Sequence, residues 1–219
     1  WSPKSLSNMK TARGGHGRTI LVLNAGSSSV KFAGAHGGHI VVRGEIDHFG
    51  REARVQLTAG RHQSFRTAVI SSPPAAFTAM RKMLTHLNIV PDIVAHRIVH
   101  GGQKFSRPEK LTLSALKYLH SLIELAPLHQ PINLLGVAAA KKTWPQAVEW
   151  GVFDTAIYRT LPGKVSTYAL PKNITKRLHI EKYGFHGISH QWAFHQAAVK
   201  LKMTPRELSA VTLHLGSGA

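Results

Sequence analysis

The feature that most constrains the fold is an apolar run that stops at a polar turn and then resumes. Residues 20–23 read ILVL without alternation, which is typical of a strand buried on both faces. Six small or polar residues follow, Asn24 to Ser29, and Val30-Lys31-Phe32 begins a second strand-like piece. The break is either the tip of a tight hairpin or a nest of backbone N–H groups for an anion, with Lys31 adding positive charge.

Apolar patterns divide the rest of the chain into strands followed by alternating helices and strands. This order predicts a mixed α/β fold. Further strands are predicted at residues 30–33, 39–46, near 55–57, 92–96, 149–153 and 211–215, and helices at residues 75–87, 113–125, 133–141 and 190–201. The last predicted strand runs into GSGA with no following partner, so we expect the chain to be the N-terminal part of a larger protein.

Composition narrows the classes of function. The 219 residues are 43% hydrophobic, enough for a real core, and contain no cysteine for disulfides or thiolate metal sites. A formal net charge of +18 suggests nucleic acid as a partner. The basic residues are spread along the chain, however, and this distribution does not favour nucleic-acid binding. No apolar run approaches the roughly 20 residues that span a bilayer. We expect a cytoplasmic protein whose basic residues 1–18 form a disordered tail.

Several polar clusters follow predicted strands, where open α/β sheets bind ligands. Arg97, in HRIVHGG, offers a rigid fork for carboxylate or phosphate, or else makes a surface salt bridge. His129 lies between Pro127 and Pro131, which restrict the backbone. It is either an oriented imidazole or a structural histidine in a loop between helices.

Two more clusters lie further along the chain. Asp154 follows a predicted strand and could hold Mg²⁺ or receive a proton; alternatively it caps a helix together with Thr155. His186 and His190 are four residues apart in YGFHGISH, a spacing that places two ligands on one helix face. Zinc is disfavoured because Gly187 interrupts the predicted helix and no H-E-x-x-H pattern is present.

Six motifs, taken in order, carry a family resemblance: LVLNAGSSSVKF, AHRIVHGG, LAPLHQPINLLG, VFDTAIYRTLP, YGFHGISH and LHLGSGA. The chain resembles the acetokinase family from Ile20 to Ala219, in particular its acetate-phosphorylating members. The resemblance implies the α/β, actin-like (ribonuclease H-like) fold of the acetate and sugar kinases, incomplete at the C-terminus. It also implies an acyl- and phosphate-binding domain at residues 19–157 and the start of a nucleotide-binding domain at residues 158–219.

The implied activity is that of a phosphotransferase with a carboxyl group as acceptor. The γ-phosphoryl group of ATP would pass reversibly, with Mg²⁺, to acetate, giving acetyl phosphate and ADP in organic acid and acetyl-CoA metabolism. A homodimer is implied for the full-length form, and this chain alone is expected to be poorly active. The alternatives are a propionate or butyrate kinase and a non-catalytic basic fragment that binds anions or nucleic acid.

The resemblance also implies a role for each motif residue. The catalytic residues would be Asp154, Arg97, His129 and His186. The small acyl pocket would be formed by Arg97, Val99, Leu128 and Phe185. The phosphates and nucleotide would be contacted by Asn24, Ser27, Ser29, Lys31, His214, Gly216, Ser217 and Gly218. Asn24 would also lie by the Mg²⁺, with a glutamate that this chain lacks.

Overall fold

The computed structural model describes residues 17–215, so residues 1–16 of the predicted tail and the predicted phosphate-loop residues Gly216, Ser217 and Gly218 lie outside the described residues. Within that range the chain builds an eight-stranded mixed sheet in the order β5-β4-β3-β2-β1-β6-β8-β7. The strands are β1 Thr19–Ala25, β2 Ser29–His36, β3 His39–Asp47, β4 Gly50–Ala59, β5 His62–Ile70, β6 Ile93–Ile98, β7 Glu109–Lys110 and β8 Val148–Phe153.

Helices begin after the first five strands and are interspersed with the last three. They are α1 Pro73–His86, α2 Leu113–Ser121, α3 Gln130–Thr143, α4 Gly163–Ser166, α5 Lys172–Arg177 and α6 Gly187–Leu201, with 3₁₀ helices at Ile123–Leu125 and Ala156–Thr160. Ser72 caps α1 and Thr112 caps α2, each through a side-chain oxygen that accepts a backbone N–H three residues on. The helix predicted at residues 113–125 is shorter in the structure: α2 ends at Ser121, and a 3₁₀ helix follows.

The core lies on one face of the sheet, under α1 and α3. Phe77, Met80 and Met83 of α1 pack in the same buried cluster as alternate residues of the first four strands. On β1, Leu21 and Leu23 are buried, whereas Ile20 and Val22 are 36% and 45% exposed. The prediction that this strand is buried on both faces was wrong. Apolar residues stand on both faces, but the described helices cover one of them.

Two elements differ from the sequence predictions. The edge strand β5 was missed because it alternates polar and apolar residues weakly; it pairs antiparallel with β4, with Gln56 opposite Phe65. The strand predicted at residues 211–215 was wrong, because that stretch has no strand pairing, and Val211, Leu213 and Leu215 are more than three-quarters exposed. A strand needs a partner for its backbone groups and a layer over its apolar side chains.

The chain divides into two compact units. The first contains the residues up to Ile98 together with Lys110–Gly151, and the second contains Val99–Glu109 together with the residues from Val152 onward. The domain bounds expected from the resemblance stay a prediction. None of the helices within residues 17–215 combines the length and the hydropathy that crossing a bilayer requires.

We predict unequal costs for two neighbouring truncations on β1. Leu23→Ala should lower the free energy of unfolding by about 2–5 kcal/mol, because it leaves a cavity in the core. Val22→Ala removes a half-exposed side chain from the opposite face and should cost about 1 kcal/mol or less. Urea denaturation of the 219-residue chain measures both. Equal losses would mean that both faces of β1 are covered.

Candidate active site

The hairpin alternative for the opening motif is confirmed. β1 pairs antiparallel with β2, so that Asn24 lies opposite Lys31 at the end of the ladder. The N–H of Gly26 donates to the carbonyl of Ser29 at 2.8 Å and closes the tip, where Ser27 is exposed. Because the Gly26 N–H is already bonded, an anion at this tip would rely on the neighbouring N–H groups and hydroxyls. The anion nest stays a prediction.

Arg97 is held against the first strand of that hairpin. β6 runs parallel to β1 with Leu23 opposite His96, so the outward side chains of Asn24 and Arg97 fall beside one another. The Arg97 guanidinium donates from Nη1 to Oδ1 of Asn24 at 3.0 Å. An amide partner orients the guanidinium without adding a negative charge of its own.

Lys31 forms an ion pair with a carboxylate of the neighbouring strand. Its Nζ lies 2.8 Å from Oε1 of Glu45 on β3, and both side chains are partly exposed. A pair of this kind is worth about 0–1 kcal/mol, so an anion that arrives at the site can displace Glu45 at little cost. The pair lies in an open groove of about 420 Å³ on the outward sheet face, where Asn24 and Arg43 also contribute to the wall.

Helix α3 is tied to the end of β1 by a buried amide. Nδ2 of Asn133 donates to the carbonyl of Ala25 at 2.8 Å, and Nε2 of Gln130 donates to the carbonyl of Leu119 at 3.2 Å. These bonds set the position of the first turn of α3, and His129 precedes that turn with an exposed side chain. Leu128, expected in the acyl pocket, is 78% exposed.

In the second unit, Asp154 and His186 are brought together by a glycine. Asp154 follows β8 and is buried, and its carbonyl accepts the N–H of Gly187 at 2.9 Å. A Cβ on Gly187 would overlap that carbonyl oxygen. The prediction that Gly187 interrupts a helix was wrong, because Gly187 is the first residue of α6. His186 precedes it with a left-handed φ of 58°.

The alternative in which Asp154 and Thr155 cap a helix was wrong. The 3₁₀ helix Ala156–Thr160 has no side-chain cap bond, and Oγ1 of Thr155 instead accepts the N–H of Gly101 at 3.0 Å. Burial raises the pKa of the Tyr158 hydroxyl, and the charge of Asp154 raises it further. The phenol therefore stays protonated and donates to the carbonyl of Phe185 at 2.7 Å.

The second-unit residues that are expected to form the acyl pocket lie beside an aromatic cluster. Val99 is buried, and Phe185 is 40% exposed. Between them in sequence lies His100, whose ring meets Tyr183 edge-on at 4.4 Å and Phe185 edge-on at 5.7 Å between centroids. His100 lies within the HRIVHGG motif, but the sequence analysis assigned it no role.

His100 is kept neutral by its surroundings. Burial lowers the pKa of its imidazole, and the positive charge of Arg159 lowers it further. In addition, the N–H of Gly102 donates to Nδ1 at 2.9 Å, and that bond requires an unprotonated Nδ1. The proton of the neutral ring is therefore on Nε2.

Residues 211–215 lie against α6 through histidines. The His186 and His214 rings stack at 4.2 Å between centroids, and Nδ1 of His214 lies 3.0 Å from Oγ of Ser189. Nδ1 of His190 lies 2.8 Å from Oγ1 of Thr212. Within residues 17–215 there is no group of three or more histidine and acidic side chains arranged to hold a metal ion.

The predicted site residues thus fall into two constellations, one in each unit. Asn24, Lys31 and Arg97 lie together in the first, where Asn133 is an addition that its buried polar character in α3 could have indicated. Asp154 and His186 lie together in the second, with His214 stacked on His186.

Comparisons with known proteins identify the family of the chain. The family model described as the acetokinase family matches residues 19–219. The chain belongs to the acetokinase family. It is 36% identical over 206 residues to an acetate kinase of Sulfurovum sp., covering 91% of this chain and 52% of that protein. It is 33% identical over 208 residues to the acetate kinase of Bacillus subtilis, covering 91% and 53%.

Solved structures confirm the predicted fold. A propionate kinase of Francisella tularensis superposes with a TM-score of 0.76 at 34% identity, covering 85% of this chain and 50% of that one. The acetate kinase of Porphyromonas gingivalis gives 0.75 at 33% identity, covering 86% and 50%. The chain spans about half the length of the relatives that it matches.

We predict that His100 titrates below the ordinary histidine pKa of about 6.5. Because its folded pKa is lowered, the unfolded chain binds the proton first, and stability falls as pH drops below that value. Proton NMR of the ring signal, assigned by its loss in His100→Gln, measures the midpoint. A midpoint at or above 6.5 would contradict the proposed burial and tautomer.

Proposed function

We propose that this chain carries the acyl-binding and phosphate-binding part of an enzyme that transfers the γ-phosphoryl group of ATP to acetate. The observation that carries the proposal is the guanidinium of Arg97 held on Asn24 beside the hairpin tip, in a chain that matches acetate kinases over nearly its whole length. Acetate and ATP are both anions, so cations must offset the charge where they meet. Transfer itself requires mainly that the two reactants are held in line.

In the first unit, Arg97 would bind the acetate carboxylate and the phosphoryl group in transit. Its planar fork suits either group, and Asn24 orients it. Lys31 would leave Glu45 for the phosphate oxygens, while Ser27 and Ser29 would donate from the tip. His129, exposed before α3, would donate to a phosphoryl oxygen.

In the second unit, His186 would hydrogen-bond to the phosphoryl group, and Asp154 would act at the reacting centre. Gly187 supports this assignment because it allows the two residues to approach. Val99 and Phe185 of this unit would be among the walls of the small acyl pocket. His214, stacked on His186, would begin the contacts to the nucleotide phosphates, which would continue through Gly216, Ser217 and Gly218.

Magnesium is not held by the described residues alone. Asn24 would offer it one neutral oxygen, and that oxygen already accepts a bond from the Arg97 cation. Residues 17–215 supply no cluster of acidic ligands near it. Magnesium would therefore arrive with the ATP substrate, whose phosphate oxygens coordinate it. The homodimer and the cytoplasmic location stay predictions.

A second candidate is a propionate kinase, since the F. tularensis structure that superposes on this chain bears that name. An apolar pocket discriminates one methylene by only about 1–3 kcal/mol. Acetate and propionate activity are therefore expected to differ in degree rather than in kind.

We predict that Arg97→Ala weakens phosphate binding. The 219-residue chain is titrated calorimetrically with inorganic phosphate at constant ionic strength. Loss of a charged hydrogen-bond donor should reduce the affinity by about tenfold or more. Arg54→Ala is the matched control, because Arg54 is an exposed arginine on the first unit's sheet. Equal losses of affinity in the two variants would mean that phosphate binds through nonspecific surface charge, and this would contradict the proposal.

Acceptor preference separates the two candidate enzymes. A chimaera that appends the second half of the Sulfurovum enzyme after Ala219 is assayed for acyl phosphate with ATP, Mg²⁺ and two-, three- and four-carbon acids. We expect kcat/KM to be highest with acetate and to fall by about 10–200-fold for each added methylene. A maximum with propionate would favour the second candidate, and no acyl phosphate with any acid would contradict both.

A further inference from the structure

A buried imidazole on β6 is paired with a buried carboxylate on the neighbouring strand β8. Nε2 of His96 lies 2.5 Å from Oε2 of Glu149 on β8, and the two residues are 2% and 6% exposed. Oε1 of Glu149 is also buried and has no hydrogen-bond partner among the described residues. Neither residue belongs to the site proposed above.

Such a pair is a poor way to stabilise a core. Removing two polar groups from water costs several kcal/mol, and apolar residues of similar volume often serve as well or better. The unsatisfied Oε1 of Glu149 adds to that cost. The pair is better explained by the geometry that it imposes on its neighbours than by its contribution to stability.

That geometry is imposed on the strand that carries Arg97. β6 lies between β1 and β8 in the sheet, and its successive side chains point to opposite faces. His96 points inward and meets Glu149 of β8, while the next residue, Arg97, points outward and meets Asn24 of β1. This segment of β6 is therefore tied to one neighbouring strand below the sheet and to the other above it.

We propose that His96 and Glu149 are positioning residues for Arg97. Their bond fixes the height and the tilt of β6 at the position where Arg97 leaves the sheet, so that the guanidinium stays on Asn24. The consequence for phosphoryl transfer rests on the proposed function, whereas the ordering of Arg97 does not.

The test follows the guanidinium itself in the 219-residue chain. The ¹⁵N–¹H signal of the Arg97 side chain, assigned by its loss in Arg97→Lys, reports its hydrogen exchange rate. Glu149→Leu breaks the pair, and we expect exchange at Arg97 to become at least tenfold faster. Glu149→Gln can still bond to His96 and should remain within about threefold of the wild type. Circular dichroism verifies that each variant is folded.

Two further variants keep the outcome decisive. If Glu149→Leu unfolds because His96 is left buried without its partner, the double variant His96→Leu/Glu149→Leu removes both polar groups and should show the same faster exchange. Asp47→Leu is the matched control, because it removes the carboxylate from the more exposed pair of Asp47 and His48 at the end of β3 and should leave Arg97 unchanged.

Unchanged Arg97 exchange in a folded Leu variant would overturn the positioning role. So would a loss of order in Glu149→Gln equal to that in Glu149→Leu, since only the packing would then matter. The titration with inorganic phosphate separates this result from the proposed function. An ordered wild-type Arg97 that binds no phosphate contradicts the function and leaves the positioning intact.

Discussion

The parallel pairing of β1 with β6 is the constraint on which the first unit depends. With Leu23 opposite His96, these two residues face inward, and the next residue of each strand, Asn24 and Arg97, faces outward on the same side of the sheet. A shift of one residue in this pairing would turn the side chains of one strand to the other face, so that Asn24 and Arg97 would lie on opposite sides of the sheet. The apolar residues on the inward face therefore do more than stabilise the sheet, because burying them selects the register in which the two polar side chains meet.

In the second unit, a close backbone approach, and not strand register, brings two candidate site residues together. The end of a strand and the start of a helix must approach closely for Asp154 and His186 to be neighbours. Gly187 permits the approach because it lacks a Cβ, and its N–H donates to the Asp154 carbonyl. The left-handed φ of His186 belongs to the same turn.

Sequence reasoning succeeded where local pattern and final environment agree. The hairpin at residues 24–29 and the stripe of α1 are of this kind, since each carries its own turn or capping residues. It failed where tertiary context decides. The run ILVL looks buried on both faces, yet the described helices cover one of them. The apolar residues near 211–215 have the composition of a strand but no strand beside them.

The site residues show the same division. Motif order predicts roles for Arg97 and Asp154, and these stay predictions. No local signal shows that Asn133 bonds to the carbonyl of Ala25 or that Glu149 bonds to His96. Those pairs are 108 and 53 residues apart. Long-range polar contacts arise from the topology of the sheet, which a single sequence does not display.

The choice of partner for Arg97 has a chemical consequence. A carboxylate would hold the guanidinium more strongly than an amide, but it would also neutralise it and compete with an incoming anion. Asn24 orients the fork through a neutral oxygen and adds no negative charge of its own. Lys31 illustrates the opposite case, because its charge is already matched by Glu45 and must be released before use. In a chain with a net charge of +18, many surface cations attract phosphate, so what distinguishes Arg97 is its fixed direction.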